Sequence, residues 1–230
     1  MKLIEMRVEE FLKETASNSS APGGGSVSAL AGALAAALAG MVANLSQGEK
    51  FPETEKMAET AANAAELRAE LEACVQKDTD GFERYMQAIR LPKATEEEKA
   101  FRRAQMQSAL KAAAEIPLGT AVAAAKIFPL AEKVLQLGNA NAASDALVSA
   151  MLARTAVYGA LLNVKINLSG IRDEPFVQEM TSRAEALRRE AREQEERVLS
   201  LSPLGKDFIV ENSGDLKRAR DIKQKRRIFL

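Results

Sequence analysis

An aspartate in the middle of an apolar helix face is the first feature of this sequence that points to chemistry. Apolar residues recur at helical spacing through residues 71–89 and form a stripe that we expect to pack into the core: Leu71, Cys74, Val75, Phe82, Tyr85 and Ile89. Asp78 falls within that stripe, so we expect its side chain to be partly or wholly buried. Burial disfavours the charged carboxylate and raises its pKa, which makes Asp78 a candidate acid–base group. The alternative is a structural aspartate paired with a Lys or Arg.

A run of three glycines precedes a long uncharged segment. Gly23, Gly24 and Gly25 are followed by Ser26 and then by residues 27–48, none of which is charged. Glycines at a helix start leave backbone N–H groups free and add no side chain to obstruct a ligand, so the turn is a candidate site for an anionic or flat polar group. A plain turn that starts a helix explains the same residues. The phosphate-loop pattern is not met, because no strand precedes the glycines and no Lys follows at the required spacing.

The uncharged segment itself predicts close helix packing. Small residues recur every four positions and share one helix face: Ser28, Gly32, Ala36 and Gly40. The segment is long enough for a membrane span, but alanine and glycine favour insertion only weakly. We therefore expect a core helix and no membrane partner.

Composition removes several classes of active site. The chain has no histidine and a single cysteine, Cys74, which excludes the usual zinc sites and the Ser-His and Cys-His nucleophile pairs. Acid–base chemistry is left to Asp, Glu, Lys, Tyr or Cys, and we assign Cys74 to the core because no cationic partner for a thiolate is evident. Lys plus Arg equals Asp plus Glu at 32 each, which argues against a nucleic-acid surface. The cysteine usage and the lack of a secretory apolar run predict a cytoplasmic protein.

The elements that must position these residues are helices. Alanine is abundant, and β-branched runs of period two are missing, so we predict an all-α, up-and-down bundle of long helices. Thr95 and Glu98 have the spacing of a capping box, while Pro117 and Pro129 are expected to kink or divide their region. The predicted helices cover residues 7–16, 26–46, 53–90, the region from Thr95, 141–168 and 173–201.

Polar residues interrupt the apolar seam of the helix that begins near residue 141. Asn139 and Asp145 have two interpretations, as binding residues or as turn, cap and first-turn residues. Asn163 lies in the middle of the helix, where capping does not explain it. We divide the chain into a helical domain, 1–202, and a C-terminal basic appendage, 203–230. Seven of the residues 217–227 are Lys or Arg, which is typical of a solvated tail, and nucleic acid is not expected as a partner.

Four segments, in this order, resemble the cyclodeaminase/cyclohydrolase family. They are APGGGSVSALAGALAAALAGMVANL, KDTDGFERYMQAIRLPK, GNANAASDAL and NVKINLSGIRDEPF, and the similarity runs from about residue 5 to residue 202. The family contains the cyclodeaminase half of formiminotransferase-cyclodeaminase and stand-alone bacterial methenyltetrahydrofolate cyclohydrolases. The resemblance implies an all-α, dimeric, metal-free enzyme that takes a tetrahydrofolate derivative as substrate and holds no tightly bound cofactor.

The resemblance also implies roles for particular residues. The family's catalytic aspartate lies in an Asp-x-x-Ala-(Phe/Tyr) motif, which here reads DTDGF, so that role transfers to Asp78, with Gly81 in place of alanine. The matched segments around the expected folate pocket hold the candidate substrate-binding residues Gly23, Gly24, Gly25, Ser26, Lys93, Asn139, Asp145 and Asn163.

The expected activity is methenyltetrahydrofolate cyclohydrolase, the interconversion of 5,10-methenyltetrahydrofolate and 10-formyltetrahydrofolate. Formiminotetrahydrofolate cyclodeaminase is the alternative, because one aspartate with a near-neutral pKa serves either reaction. The lack of a formiminotransferase segment favours the cyclohydrolase. A non-catalytic helical binding module is the third hypothesis.

Overall fold

Helices account for most of residues 2–204, which are the residues that the computed structural model describes. The observed architecture confirms the predicted all-α, up-and-down bundle. A 3-10 turn at Leu3–Glu5 precedes the first helix, and a second one at Ala140–Ala142 precedes the sixth. The α-helices are α1 (Val8–Thr15), α2 (Gly24–Asn44), α3 (Thr54–Ile89), α4 (Glu96–Ala125), α5 (Ile127–Leu137), α6 (Ala143–Leu168) and α7 (Glu174–Ser200).

Helix α2 lies at the centre of the bundle, between α3 and α6. It is apolar on nearly every face, which is the composition of a helix surrounded by others. The predicted small-residue face makes the expected close contacts. A Cβ atom built on Gly32 would lie 3.1 Å from Leu71 of α3 and 3.3 Å from Ala156 of α6, so any larger residue there would require both neighbours to shift by a few tenths of an ångström.

Helix α4 runs antiparallel to α3 and begins at the predicted capping box. Thr95 accepts a hydrogen bond from the Glu98 N–H, and the Glu98 carboxylate accepts one from the Thr95 N–H. The expectation that Pro117 divides this region was wrong, because α4 continues through it. The break comes at Lys126, and Pro129 lies in the first turn of α5, where its missing N–H has no intrahelical partner to lose.

Helix α6 runs antiparallel to α2 and is tied to it by both packing and a buried hydrogen bond. The Ser149 hydroxyl donates to the Ala35 carbonyl oxygen of α2 over 2.7 Å. At the other end of α6 the chain turns at residues 169–173 and enters α7 behind Asp173, which caps that helix. The short turn places the C-terminus of α6 beside α4, and this corner encloses the cavity described below.

Three helical stretches have the length and composition of membrane spans: Gly24–Asn44, Glu96–Leu137 and Ala140–Leu168. Between 50% and 61% of their most apolar windows is buried inside the bundle, so much of this apolar surface already serves the fold. All but the first two residues of the predicted appendage, 203–230, lie outside the described part of the chain.

Candidate functional site

Asp78 is held by the first turn of α2. The Ser26 backbone N–H donates to Asp78 Oδ2 over 2.9 Å, and the Ser26 hydroxyl lies 3.1 Å from the same oxygen. The hydroxyl also lies 2.9 Å from the Val75 carbonyl oxygen, and its one hydrogen is shared between these two acceptors, so it bridges the two helices. These contacts fix one carboxylate oxygen. Among the described residues none donates a hydrogen bond to the other oxygen, Oδ1.

The glycine run is what allows Asp78 to reach the α2 backbone. The sequence predicted that the helix begins at Ser26, but Gly23 is the N-cap and Gly24 the first helical residue. A Cβ atom on Gly25 would overlap the Asp78 carboxylate, and one on Gly24 would lie 3.3 Å from the Asn163 amide nitrogen. Gly23 has an extended backbone, and a Cβ atom there would lie 3.8 Å from its nearest neighbour, so a larger side chain would fit at this position. The three glycines therefore differ in what they do.

A cavity of about 470 Å³ opens beside this turn, between α3, α4 and α6. Its lining contains one carboxylate and, among the described residues, neither Lys nor Arg. The lining residues are Ser20, Ala21, Gly23, Gly24, Gly25, Asp78, Thr79, Phe82, Tyr85, Leu110, Ala113, Ile116, Asn163, Ile166, Asn167, Ser169 and Gly170. The volume is that of a pocket for a small organic ligand, and its charge favours a cationic one.

Burial raises the pKa of Asp78 above the ordinary aspartate value, and the two Ser26 hydrogen bonds act against that increase. The side chain is half-buried and lines the cavity, and Oδ1 is not among the buried polar atoms that lack a partner, so this oxygen is accessible. No Lys or Arg among the described residues pairs with it, so the structural alternative of an ion-paired aspartate is not what the structure shows. A carboxylate with a raised pKa and one free oxygen is suited to take up and return a proton.

Two aromatic residues were misassigned to the core stripe. Phe82 is 37% exposed and Tyr85 is half-buried, and both line the cavity. The stripe prediction holds for Leu71, Cys74 and Val75, which are buried. Beyond Asp78 the same helix face borders the cavity, and periodicity does not distinguish a cavity wall from a core.

The other predicted binding residues divide into two groups. Gly23, Gly24, Gly25 and Asn163 line the cavity, and Ser26 holds Asp78 from behind it. Lys93, Asn139 and Asp145 are not among the lining residues. Lys93 is exposed beyond the end of α3, Asn139 caps the 3-10 turn through Asn141, and Asp145 is in the first turn of α6. Eighteen helical residues separate Asp145 from Asn163, about 27 Å along the axis.

Asn167 is a cavity residue that the sequence reading missed. It follows Asn163 by one helical turn, and its amide donates to the Ala113 carbonyl oxygen of α4 over 2.7 Å. The two asparagines in NVKINL are four residues apart, and this spacing could have indicated that both lie on the same helix face. In the described part of the chain, no cluster of three or more His, Cys, Asp or Glu has the arrangement of a metal site.

Fold and site together define a helical-bundle enzyme that, among its described residues, holds a single carboxylate at the wall of an otherwise uncharged cavity. The profile of the formiminotransferase-cyclodeaminase family matches residues 7–186, and the chain belongs to that family.

Particular relatives share most of this chain. The methenyltetrahydrofolate cyclohydrolase of Methylorubrum extorquens is 39% identical over 193 residues, which cover 83% of this chain and 93% of that protein. The formimidoyltransferase-cyclodeaminase of Sus scrofa is 36% identical over 201 residues, 86% of this chain but 37% of the pig protein. Among solved structures, the formiminotetrahydrofolate cyclodeaminase of Thermotoga maritima matches with a TM-score of 0.78 and 30% identity, over 87% of this chain and 98% of that one.

Proposed function

We propose that this chain is a folate one-carbon enzyme, a methenyltetrahydrofolate cyclohydrolase that interconverts 5,10-methenyltetrahydrofolate and 10-formyltetrahydrofolate. The observation that carries the proposal is the free Oδ1 atom of Asp78 in a cavity whose described lining has no other charged side chain. The bacterial cyclohydrolase relative, which matches over nearly its whole length, supports the choice of reaction.

The substrate's chemistry fits this cavity. The bridging carbon of 5,10-methenyltetrahydrofolate belongs to a cationic amidinium, so it is already electrophilic and needs a base and a nearby negative charge to react with water. Asp78 supplies both. In water attack, Oδ1 accepts a proton as the oxygen bonds to the bridging carbon, which gives a neutral carbinolamine. The protonated Asp78 then gives that proton to N5 as the carbon–N5 bond breaks. The hydroxyl group loses its own proton to water as it becomes the carbonyl of the formyl group on N10, so one proton is released overall.

The raised pKa of Asp78 suits both halves of this cycle. A group that must accept a proton and then donate it works best when its pKa is near the working pH. Burial moves the pKa upward from the ordinary aspartate value, and this is the direction that the cycle needs. The Ser26 bonds keep the carboxylate in place while its protonation changes, because they engage only Oδ2.

Formiminotetrahydrofolate cyclodeaminase is the second candidate activity. The matched Thermotoga maritima structure and the eukaryotic relatives carry cyclodeaminase names, and this favours it as the alternative. In that reaction N10 closes onto the formimino carbon and ammonia leaves, so Asp78 would donate its proton to the departing nitrogen. The same carboxylate serves both reactions, and the cavity geometry does not separate them.

Turnover of the two substrates tests the choice. We expect the purified chain to consume 5,10-methenyltetrahydrofolate, followed by its absorbance, at least tenfold faster in kcat/KM than it consumes 5-formiminotetrahydrofolate. Equal kcat/KM values for both would remove the preference for the cyclohydrolase. Turnover of neither substrate, with folded protein, would contradict the enzyme proposal itself and favour a binding module.

We also propose that the enzyme is a cytoplasmic homodimer without a tightly bound cofactor. Neighbouring helices α2 and α6 carry exposed apolar side chains whose burial by a second copy would be favourable: Val27, Leu34, Met41, Leu45, Val148 and Met151. Helix α2 has no charged residue along its length, which is unusual for a helix with an exposed face. The tetrahydrofolate derivative is the proposed substrate, and the proposed chemistry requires no metal.

A further inference from the structure

Two asparagines on α6 present unused acceptor atoms to the cavity. The Asn163 amide nitrogen donates to the Gly159 carbonyl oxygen over 2.9 Å, and that of Asn167 donates to the Ala113 carbonyl oxygen over 2.7 Å. These bonds fix which end of each amide is the donor. No described residue donates to either Oδ1 atom, and neither atom is among the buried polar atoms without a partner. Each Oδ1 is therefore open to a ligand.

The remainder of the cavity strengthens the case for a ligand that donates hydrogen bonds. With Asp78, the two amides give three carboxylate or carbonyl acceptors, and the described lining offers no cationic donor in return. The Ser169 hydroxyl already donates to the Ile166 carbonyl oxygen over 2.7 Å, so it offers the ligand an acceptor. The hydroxyl groups of Ser20, Thr79 and Tyr85 can either donate or accept. A ligand whose edge carries several N–H groups satisfies such a wall better than an anion or a carbonyl-rich ligand.

The glycine turn sets the order of the three acceptors. Gly24 lies against the Asn163 amide and Gly25 against the Asp78 carboxylate, so these two side chains flank adjacent residues of one turn. Asn167 is one helical turn further along α6, beside Ala113 of α4. Side chains four residues apart on a helix are about 5–6 Å apart at Cβ. Asn163 is thus near the proposed acid–base group, and Asn167 is further away.

We propose, on the basis of the function proposed above, that Asn163 and Asn167 recognise one edge of the pterin ring and orient the bridging carbon towards Asp78. That edge carries two donors on either side of N1, the N8–H and the 2-amino group. N8 is in the ring that contains N5, so the acceptor near Asp78, Asn163, binds the N8–H. Asn167 binds the more distant 2-amino group. The two asparagines are substrate-orienting residues and take no part in proton transfer.

The test compares two ligands on three variants by titration calorimetry. The ligands are 5-formyltetrahydrofolate and its analogue in which the 2-amino group is replaced by methyl. Asn167→Leu is expected to weaken binding of 5-formyltetrahydrofolate about 5- to 10-fold and to leave the Kd of the methyl analogue unchanged, since one neutral hydrogen bond is lost. Asn163→Leu is expected to weaken both ligands by the same factor. Asn63→Leu, at an exposed position of α3, is the control and should alter neither.

The outcomes separate this proposal from the one on which it rests. Equal weakening of both ligands by Asn167→Leu, or no weakening of 5-formyltetrahydrofolate by either variant, would overturn the pterin assignment while wild-type turnover of methenyltetrahydrofolate keeps the proposed function. Failure of the wild type to bind 5-formyltetrahydrofolate and to turn over either substrate would overturn the function as well. Asn163 bonds only within its own helix, so Asn163→Leu keeps the experiment decisive even if Asn167→Leu does not fold.

Discussion

At the scale of single residues, Asp78 owes its properties to the backbone of another helix. One of its oxygens accepts from the Ser26 N–H, and the absence of a side chain at Gly25 is what lets the carboxylate come this close. The position of the Asp78 carboxylate therefore depends on Gly25 and Ser26 as well as on α3.

Substitution of the glycines should reveal this dependence. Gly25→Ala is expected to lower kcat/KM by at least 100-fold, because the new methyl group occupies the place of the Asp78 carboxylate. Gly119→Ala is the matched control, since a Cβ atom there meets nothing within 4 Å and Gly119 is not among the cavity-lining residues, and it should keep activity within about threefold. Steady-state kinetics with thermal melting measures both. Activity in Gly25→Ala equal to that of the control would show that the turn does not position Asp78.

At the scale of elements, the wall that faces Asp78 depends on how closely α3 and α4 approach. Gly81 stands where the resembled motif has alanine, and a Cβ atom there would lie 2.8 Å from Ile116 Cδ1. Ile116 lines the cavity, and its side chain occupies the space that a methyl group at position 81 would otherwise take. A packed interior of this kind responds to single methyl groups.

A substitution and its compensation test this pairing. Gly81→Ala should displace Ile116 towards the cavity and raise the KM for methenyltetrahydrofolate several-fold, at a cost of about 1–3 kcal/mol in unfolding free energy from overpacking. The double variant Gly81→Ala with Ile116→Val removes the clashing methyl group and should recover most of both losses. Gly119→Ala, on α4 with no neighbour within 4 Å of a new Cβ, is the control. Additive losses in the double variant would rule out the pairing.

The elements were more predictable from sequence than the cavity that they enclose. Hydrophobic period located the helices to within a few residues, and Thr95 marked the start of α4 because its cap acts through contacts close in sequence. The path of α4 through Pro117 was not predictable, since tertiary packing outweighs the local cost of proline. The predicted core role of Phe82 and Tyr85 failed for a related reason, because the empty space beside them is created by helices far away in sequence.

The individual site residues show the same limit. Asp78 was found because its polarity conflicts with its helix face, and Asn163 for the same reason. Asn167 was missed because its significance comes from α4, which supplies the Ala113 carbonyl oxygen that orients it. Lys93 came from the resemblance, whereas Asn139 and Asp145 came from the interrupted apolar seam as well, and all three lie outside the cavity lining of this chain. Their roles remain predictions.

At the scale of the whole molecule, the exposed apolar face of α2 and α6 is the kind of surface that a protein partner buries. Leu34 is 51% exposed in the middle of α2, where we propose that a second copy packs. Leu34→Glu is therefore expected to convert a dimer into a monomer, because a carboxylate at the centre of an apolar contact loses its hydration. Light scattering after gel filtration measures the change.

The control is Val8→Glu, since Val8 is 77% exposed on α1 and outside the proposed contact. This variant should have the same mass in solution as the wild type. A wild type that is monomeric at micromolar concentration, or a Leu34→Glu variant that stays dimeric, would contradict the proposed interface.

The pH dependence of kcat/KM for methenyltetrahydrofolate, with the non-enzymatic rate subtracted, tests the central role of Asp78 most directly. Burial raises the pKa of Asp78, so the base form is lost as the pH falls through that raised pKa, and the hydrolytic rate should fall with it. The chain has no histidine to titrate in the same range, and Glu195→Gln controls for the other carboxyl group within residues 2–204 whose pKa burial raises. We predict that Asp78→Asn lowers kcat/KM by about 10²–10⁴ and abolishes this pH dependence, while Glu195→Gln retains it. An Asp78→Asn variant that keeps both the wild-type rate and the acid limb of its profile would contradict the account.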